Sequence, residues 1–218
     1  MHLVWVDVHR LRLSLQSHAP AREVRPGDGC LSGPSSAALE RNEMMPKVVE
    51  KNELAKLSRE DLLRLVEMYS KNWLAMDGVW FQSVEKKLGM DEAMVHDAEA
   101  WRRFTVIEAK RIKDFLKLPE RAGVEGLARA LQLRFYANIN EDRIEVDGDE
   151  LTYTAVDCRV QTARQRKGMP FHPCKSVGLI EYTLFAQTID ARFVCECVSC
   201  HPDITDTTCA CKWKFRLG

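Results

Sequence analysis

The sequence predicts an α+β fold, in which N-terminal helices pack on an antiparallel sheet and one buried helix lies between the sheet's two hairpins. Three observations predict it. Apolar residues recur every three or four positions from residue 58 to residue 137, which is helical spacing. The period then falls to two from Arg143 onward, the spacing of strands. Between the strands, residues 175–189 are apolar almost all round, a pattern suited to a buried helix. With 218 residues, 45% of them hydrophobic and 29% charged, the chain is long enough for a substantial core and too apolar for wholesale disorder. Its 32 Lys+Arg are balanced by 32 Asp+Glu, without the positive surplus that nucleic-acid binding requires. No stretch approaches the roughly 18 uninterrupted apolar residues of a membrane-spanning helix.

The elements follow in order. Residues 1–44 contain Pro20, Pro26 and Pro34 with Gly27, Gly29 and Gly33, lack apolar periodicity, and precede all 13 lysines. They are read as a spurious or poorly ordered extension, with the true start at Met44 or Met45 and Cys30 chemically irrelevant. Residues 45–218 form the single domain, with a helical half over 45–140 and a sheet half over 141–218. Asp7, His9, Arg10 and Arg12 interrupt the N-terminal apolar run, so no secretory signal is expected. A cytoplasmic location with reduced cysteines follows.

Ser58-Arg-Glu-Asp61 is a capping start for the first helix. Leu62, Val66, Tyr69, Trp73, Met76, Trp80, Val84 and Leu88 form its expected core stripe, with a kink at Asp77-Gly78 and a stop at Gly89. A second helix capped by Asp91 carries Met94, Ala98, Trp101, Thr105, Glu108, Ile112 and Phe115 and ends at Pro119. A third covers Val124 to Ala137. Asp147-Gly148 turns the first hairpin, whose second strand spans Leu151 to Val160. Strands over 191–198 and 208–216 close the chain.

Six of the eight cysteines follow residue 173. In the last hairpin the spacing C-x-C-x2-C-H-x7-C-x-C offers soft ligands, and the best metal set is Cys197, Cys200, His201 and Cys209, for zinc or iron. Against this, only Cys197 and Cys200 have the C-x2-C spacing, and buried cysteine also serves as a small hydrophobe. Cys174 stands at the start of the buried helix, where amide dipoles and Lys175 favour a thiolate. His172 is its candidate base across Pro173. Seven residues on, Glu181 returns to the same helix face as a candidate acid/base, with Gly178 between them opening space for a ligand or for another part of the chain. Glu108 likewise interrupts an apolar stripe. Each carboxylate is either a general acid/base with a raised pKa or one half of a structural pair with Arg134, Arg159 or Arg164. Trp80 and Glu108 complete the expected ligand-binding set. Glu92 and His96 share a helix face as a weaker metal pair.

From Trp73-Leu-Ala-Met-Asp-Gly-Val-Trp-Phe81, through Pro173-Cys-Lys-Ser-Val-Gly-Leu-Ile-Glu-Tyr182, to Cys209-Ala-Cys-Lys-Trp-Lys-Phe215, the chain resembles a prokaryotic family of cytosolic proteins of unknown function. The resemblance covers about Met45 to the end. More distantly it is similar to the L-2-amino-thiazoline-4-carboxylic acid hydrolase family and to the vinyl-4-reductase small-molecule-binding domain. These imply a small-molecule pocket and, from the hydrolase, cleavage of a C–N bond in a small heterocycle or amide. A non-catalytic ligand or metal sensor is the alternative, and a homo-oligomer formed through the aromatic helical half is a third reading.

Overall fold

The computed structural model describes residues 52–218. The extension read over residues 1–44, Cys30 and the start at Met44 or Met45 lie outside the described residues.

The helical half is built from α1 (Arg59–Leu88), α2 (Met90–Leu116) and α3 (Gly123–Leu131), followed by a short 3-10 helix over Phe135–Asn138. Ser58 caps α1 by accepting from the Asp61 amide at 3.1 Å. Helix α1 runs unbroken through Asp77-Gly78, so the expected kink is absent. Gly89, at φ 91°, both closes α1 and opens α2, a conformation that a side chain would resist. That leaves Asp91 in the first turn of α2 rather than at its cap. Lys117, at φ 53°, ends α2 two residues before Pro119.

The sheet half consists of β1 (Glu141–Asp147), β2 (Glu150–Asp157), α4 (Arg159–Arg166), α5 (Lys175–Ile189), β3 (Phe193–Cys200) and β4 (Cys211–Leu217). The four strands are antiparallel in the order β1-β2-β4-β3, so the two hairpins meet through β2 and β4. The first hairpin turns through Gly148 and Asp149, one residue later than expected, with Gly148 at φ 56°. Helix α4 has no counterpart in the sequence pattern, which predicts a strand continuing to Val160. Arg-Val-Gln-Thr-Ala-Arg-Gln-Arg has no apolar stripe from which to predict a helix.

Helix α5 packs against both α2 and β3, and this contact is the centre of the core. Phe185 and Ile189 of α5 are fully buried with Leu127, Leu151, Phe193, Trp213 and Phe215. Truncating a phenyl ring in such a position costs about 3–5 kcal/mol. The predicted stripe of α1 has the opposite fate. Leu62, Val66, Tyr69, Trp73, Met76 and Trp80 are all exposed, Met76 to 66% and Trp80 to 65%. Among the described residues, no helix is long and apolar enough to cross a membrane.

A one-residue register shift between Cys197 and Ser199 sets the geometry of the last hairpin. Before it, Cys195 and Cys197 sit opposite Phe215 and Trp213; after it, Cys200 sits opposite Cys211. The bulge turns Ser199 and Cys200 inward together, breaking simple alternation.

Candidate functional site

A cavity of about 440 Å³ opens where α1, α2, α4 and α5 meet β3 and β4. Its apolar wall includes Leu74, Phe81, Trp101, Val177 and Trp213. Asp77, Asp97, His172, Cys174, Glu181 and Cys200 bring polar chemistry to it.

The key segment is the turn from α4 into α5. Arg164 holds it: the guanidinium forks onto Glu85 of α1 through two bonds of 2.8 Å and also donates to the Pro170 carbonyl at 2.6 Å. Gln161 fixes the position of His172. Its Oε1 accepts from the His172 amide at 3.0 Å, and its Nε2 donates to the His172 carbonyl at 2.9 Å. Because a backbone N–H can only donate and a carbonyl can only accept, this pairing settles which end of the amide is which. The remaining hydrogen on Nε2 reaches the Cys174 sulfur at 3.4 Å.

The His172 ring is buried, with Phe81 edge-on at 4.7 Å between centroids. Nε2 lies 3.4 Å from Asp97 Oδ2 on α2, and both side chains are about nine-tenths buried. Nδ1 is buried without a hydrogen-bond partner among the described residues. Burial alone would depress the His172 pKa, but Asp97 and then Cys174 override it and raise it to about 9. On Cys174, a bond from Cys200 leads the effects that lower the thiol pKa. Burial opposes it, and the adjoining His172 reinforces it, leaving the thiol at about 5. Between these values the pair is thiolate and imidazolium. The Cys200 sulfur lies 3.5 Å from that of Cys174. Its contacts with Cys174 and Cys211, and then burial, push the Cys200 thiol well above its ordinary range.

Asp77 faces the same cavity from α1 and makes no hydrogen bond among the described residues. Burial, and then the charge of Asp97, push its pKa up to about 6.

Glu181 and Glu108 form a separate cluster. Arg134 donates to Glu108 at 2.9 Å and to Glu181 at 2.6 Å, and the Phe135 amide adds a bond to Glu108 at 3.3 Å. The guanidinium also stacks over Phe185 at 4.8 Å and Tyr182 at 5.4 Å. Burial raises Glu181 to about 7, with Arg134 acting against that rise. Of the two alternatives in the sequence, the geometry matches the structural pair. Glu181 touches the cavity but is committed to Arg134, and Glu108 lies behind it, away from the cavity wall.

The other predicted positions scatter. Gly178 lines the cavity, and its missing side chain makes room for Trp213: a Cβ there would lie 2.7 Å from the indole ring. Trp80 is on the outer side of α1 and does not line the cavity. Cys197, Cys200, His201 and Cys209 do not converge as a ligand set. Cys197 faces Trp213 in register, Cys200 turns to Cys174, His201 stacks on Phe171 at 4.2 Å, and Cys209 approaches the Asp206 carbonyl at 3.9 Å. Among the described residues, no three His, Cys, Asp or Glu side chains are arranged to hold a metal ion. Glu92 and His96 lie exposed, 3.5 Å apart.

Asp97 and Gln161 have no role in the sequence reading, and Asp77 enters it as half of a kink. Asp97 had a signal, since it falls three residues after Met94 and four before Trp101, on the inward stripe of α2. Gln161, in a run of polar residues, had none.

Fold and site together define an α+β protein with an acidic cysteine thiol on the wall of a small chamber. The chain belongs to DUF6125, a family of unknown function, whose model matches residues 54–217 and so includes every residue of this site. No curated protein and no solved structure matches the chain.

Proposed function

We propose that the protein is a cysteine-dependent hydrolase that cleaves a C–N bond in a small amide or heterocycle. The observation that carries this is the grouping on the cavity wall of His172, paired with Asp97, and Cys174, both held by the one Gln161 amide. The distant resemblance to thiazoline-carboxylate hydrolases points the same way. The Cys174 thiolate adds to the electrophilic carbon and forms a C–S bond. The adduct collapses with loss of the C–N bond, and the His172 imidazolium gives its proton to the leaving nitrogen. Water then adds to the acylated thiol while neutral His172 takes its proton. The C–S bond breaks and the thiolate is restored. Asp97 orients His172 and stabilises its cation. Asp77 offers an acceptor to substrate N–H groups in an otherwise apolar chamber. Glu181 serves this chemistry only by bracing α5 through Arg134. A reducing cytoplasm is the compartment that keeps such a thiol available, and no metal enters the scheme.

The test is acylation by p-nitrophenyl acetate. The expected result is a burst of about one p-nitrophenolate per chain, as for a covalent acyl-enzyme, with the acetyl group mapped to Cys174 and the burst lost in Cys174→Ala. Equal release by that variant overturns the reading. The largely apolar cavity with its few polar groups favours one alternative, a non-catalytic small-ligand sensor. In that case Cys174→Ala retains ligand binding and the wild type shows no burst.

A further inference from the structure

We propose that Cys174 and Cys200 form a redox couple: a hydroperoxide entering the cavity oxidises Cys174, and Cys200 then closes a disulfide with it. The proposal rests on the reading of Cys174 as the cavity nucleophile and adds a second chemistry to the same sulfur.

The geometry assigns the two sulfurs different parts. They are 3.5 Å apart, and both border the cavity. Gln161 is oriented by its two bonds to the His172 backbone, so its Nε2–H must point a donor at Cys174. Cys174 Sγ therefore accepts from Gln161, and within the sulfur pair either atom can donate to the other. Cys174 is partly accessible, whereas Cys200 is 1% exposed at the end of β3, so an oxidant meets Cys174 first. The two backbones are already joined beside the sulfurs. The Lys175 amide donates to the His201 carbonyl at 2.8 Å, and Lys175 Nζ meets Asp203 at 2.8 Å. Closing the gap to the roughly 2.05 Å of a disulfide needs side-chain rotation and a small approach of these tethered segments.

The steps balance. Cys174 sulfur attacks the distal oxygen of R–O–O–H; the O–O bond breaks, an S–O bond forms, and R–OH leaves after taking up one proton. Sulfur loses two electrons and the peroxide gains them. Cys200 then attacks the sulfenic sulfur, an S–S bond replaces the S–O bond, and water leaves with the thiol proton. A dithiol reductant restores both thiols by exchange and is itself oxidised. While the disulfide stands, Cys174 cannot acylate.

The competing partner for Cys200 is Cys211, directly opposite in register on β4. The experiment treats the full chain with a small excess of hydrogen peroxide, blocks free thiols with iodoacetamide and maps disulfides by peptide mass spectrometry. The expected product links the Cys174 and Cys200 peptides in most molecules, persists in Cys211→Ser, and reverts with dithiothreitol together with the acylation burst. In Cys200→Ser the link disappears and dimedone captures a sulfenic acid at Cys174. A Cys200–Cys211 link, or two free thiols after peroxide, overturns the couple. Alkylation at about pH 6, below the ordinary thiol range, separates this failure from that of the underlying reading. If Cys174 still reacts quickly, only the couple falls; if it does not, the thiolate falls as well.

Discussion

Two buried polar clusters lie along α5, and they are completed differently. Arg134, Glu108 and Glu181 leave none of their buried polar atoms without a partner among the described residues, and aromatic rings cover the guanidinium. His172 and Asp97 are almost as buried, yet with the partly accessible Cys174 they leave Nδ1 unpartnered, an acidic thiol on a cavity wall, and Asp77 free of hydrogen bonds nearby. The closed cluster can do little but hold α2, α5 and the Arg134 segment together. The open one retains unmet bonding capacity, which is what a substrate can use. The difference between them is a matter of completeness rather than of burial.

This contrast breaks first if the open cluster proves to be structural. His172→Ala should lower the Cys174 acylation rate by about 10² to 10⁴, the usual span for losing an acid–base group. Because Asp97 then loses its buried partner, the urea midpoint should fall as well. A large loss of stability with little loss of rate would reverse the assignment. Arg134→Met tests the other side. Leaving two carboxylates buried without their cation should cost about 3–5 kcal/mol in urea denaturation. In that variant the folded-state carboxyl pKa values lie above the unfolded ones, so the folded state binds more protons. The deficit should therefore shrink as pH falls below neutral. A deficit that grows in acid would show that the carboxylates are not the source of the cost.

Asp97→Asn sharpens the comparison. Without Asp97 the His172 cation loses its support, and the Cys174 thiol loses part of its own. The midpoint of iodoacetamide alkylation against pH should move up from about 5, by about 1–2 units as for loss of a nearby charge. An unmoved midpoint would sink Asp97 as the orienting group. Gly178→Ala should cost about 1–3 kcal/mol by overpacking against Trp213, read from thermal unfolding. The smallest effect is expected on α1, where Met76→Ala at an exposed site should change stability by less than about 0.5 kcal/mol. A larger loss, or one that depends on protein concentration, would show that the exposed stripe has a partner.

The last case marks where the sequence stops being legible. The stripe of α1 has the same three-and-four spacing as that of α2, yet Trp101 is buried and Trp80 is exposed. Periodicity reports that a helix has an apolar face and is silent about what meets it. The Glu181–Arg134 pair was visible as one of two alternatives, because a carboxylate on an apolar helix face needs a partner. The metal set failed for a similar reason: spacing brought Cys197, Cys200, His201 and Cys209 within reach, and a one-residue bulge in β3 turned Cys200 towards Cys174 instead.

By itself the sequence determined the α+β class, the extent of α5 from Lys175 to Ile189, the cap at Ser58, and Cys174 and His172 as residues with chemistry to offer. These features depend on bonds and contacts spanning a few residues, and local pattern records such forces directly. The tertiary structure alone decided that Asp77, Asp97, Gln161 and Cys200 meet Cys174 and His172 in one chamber. It also decided the thiol's acidity: Cys174 falls to about 5 while Cys158 and Cys195 are raised by burial to about 12. Desolvation and neighbouring charge act through space, over distances that follow from how the helices and strands pack, and nothing in the order of residues along the chain carries them.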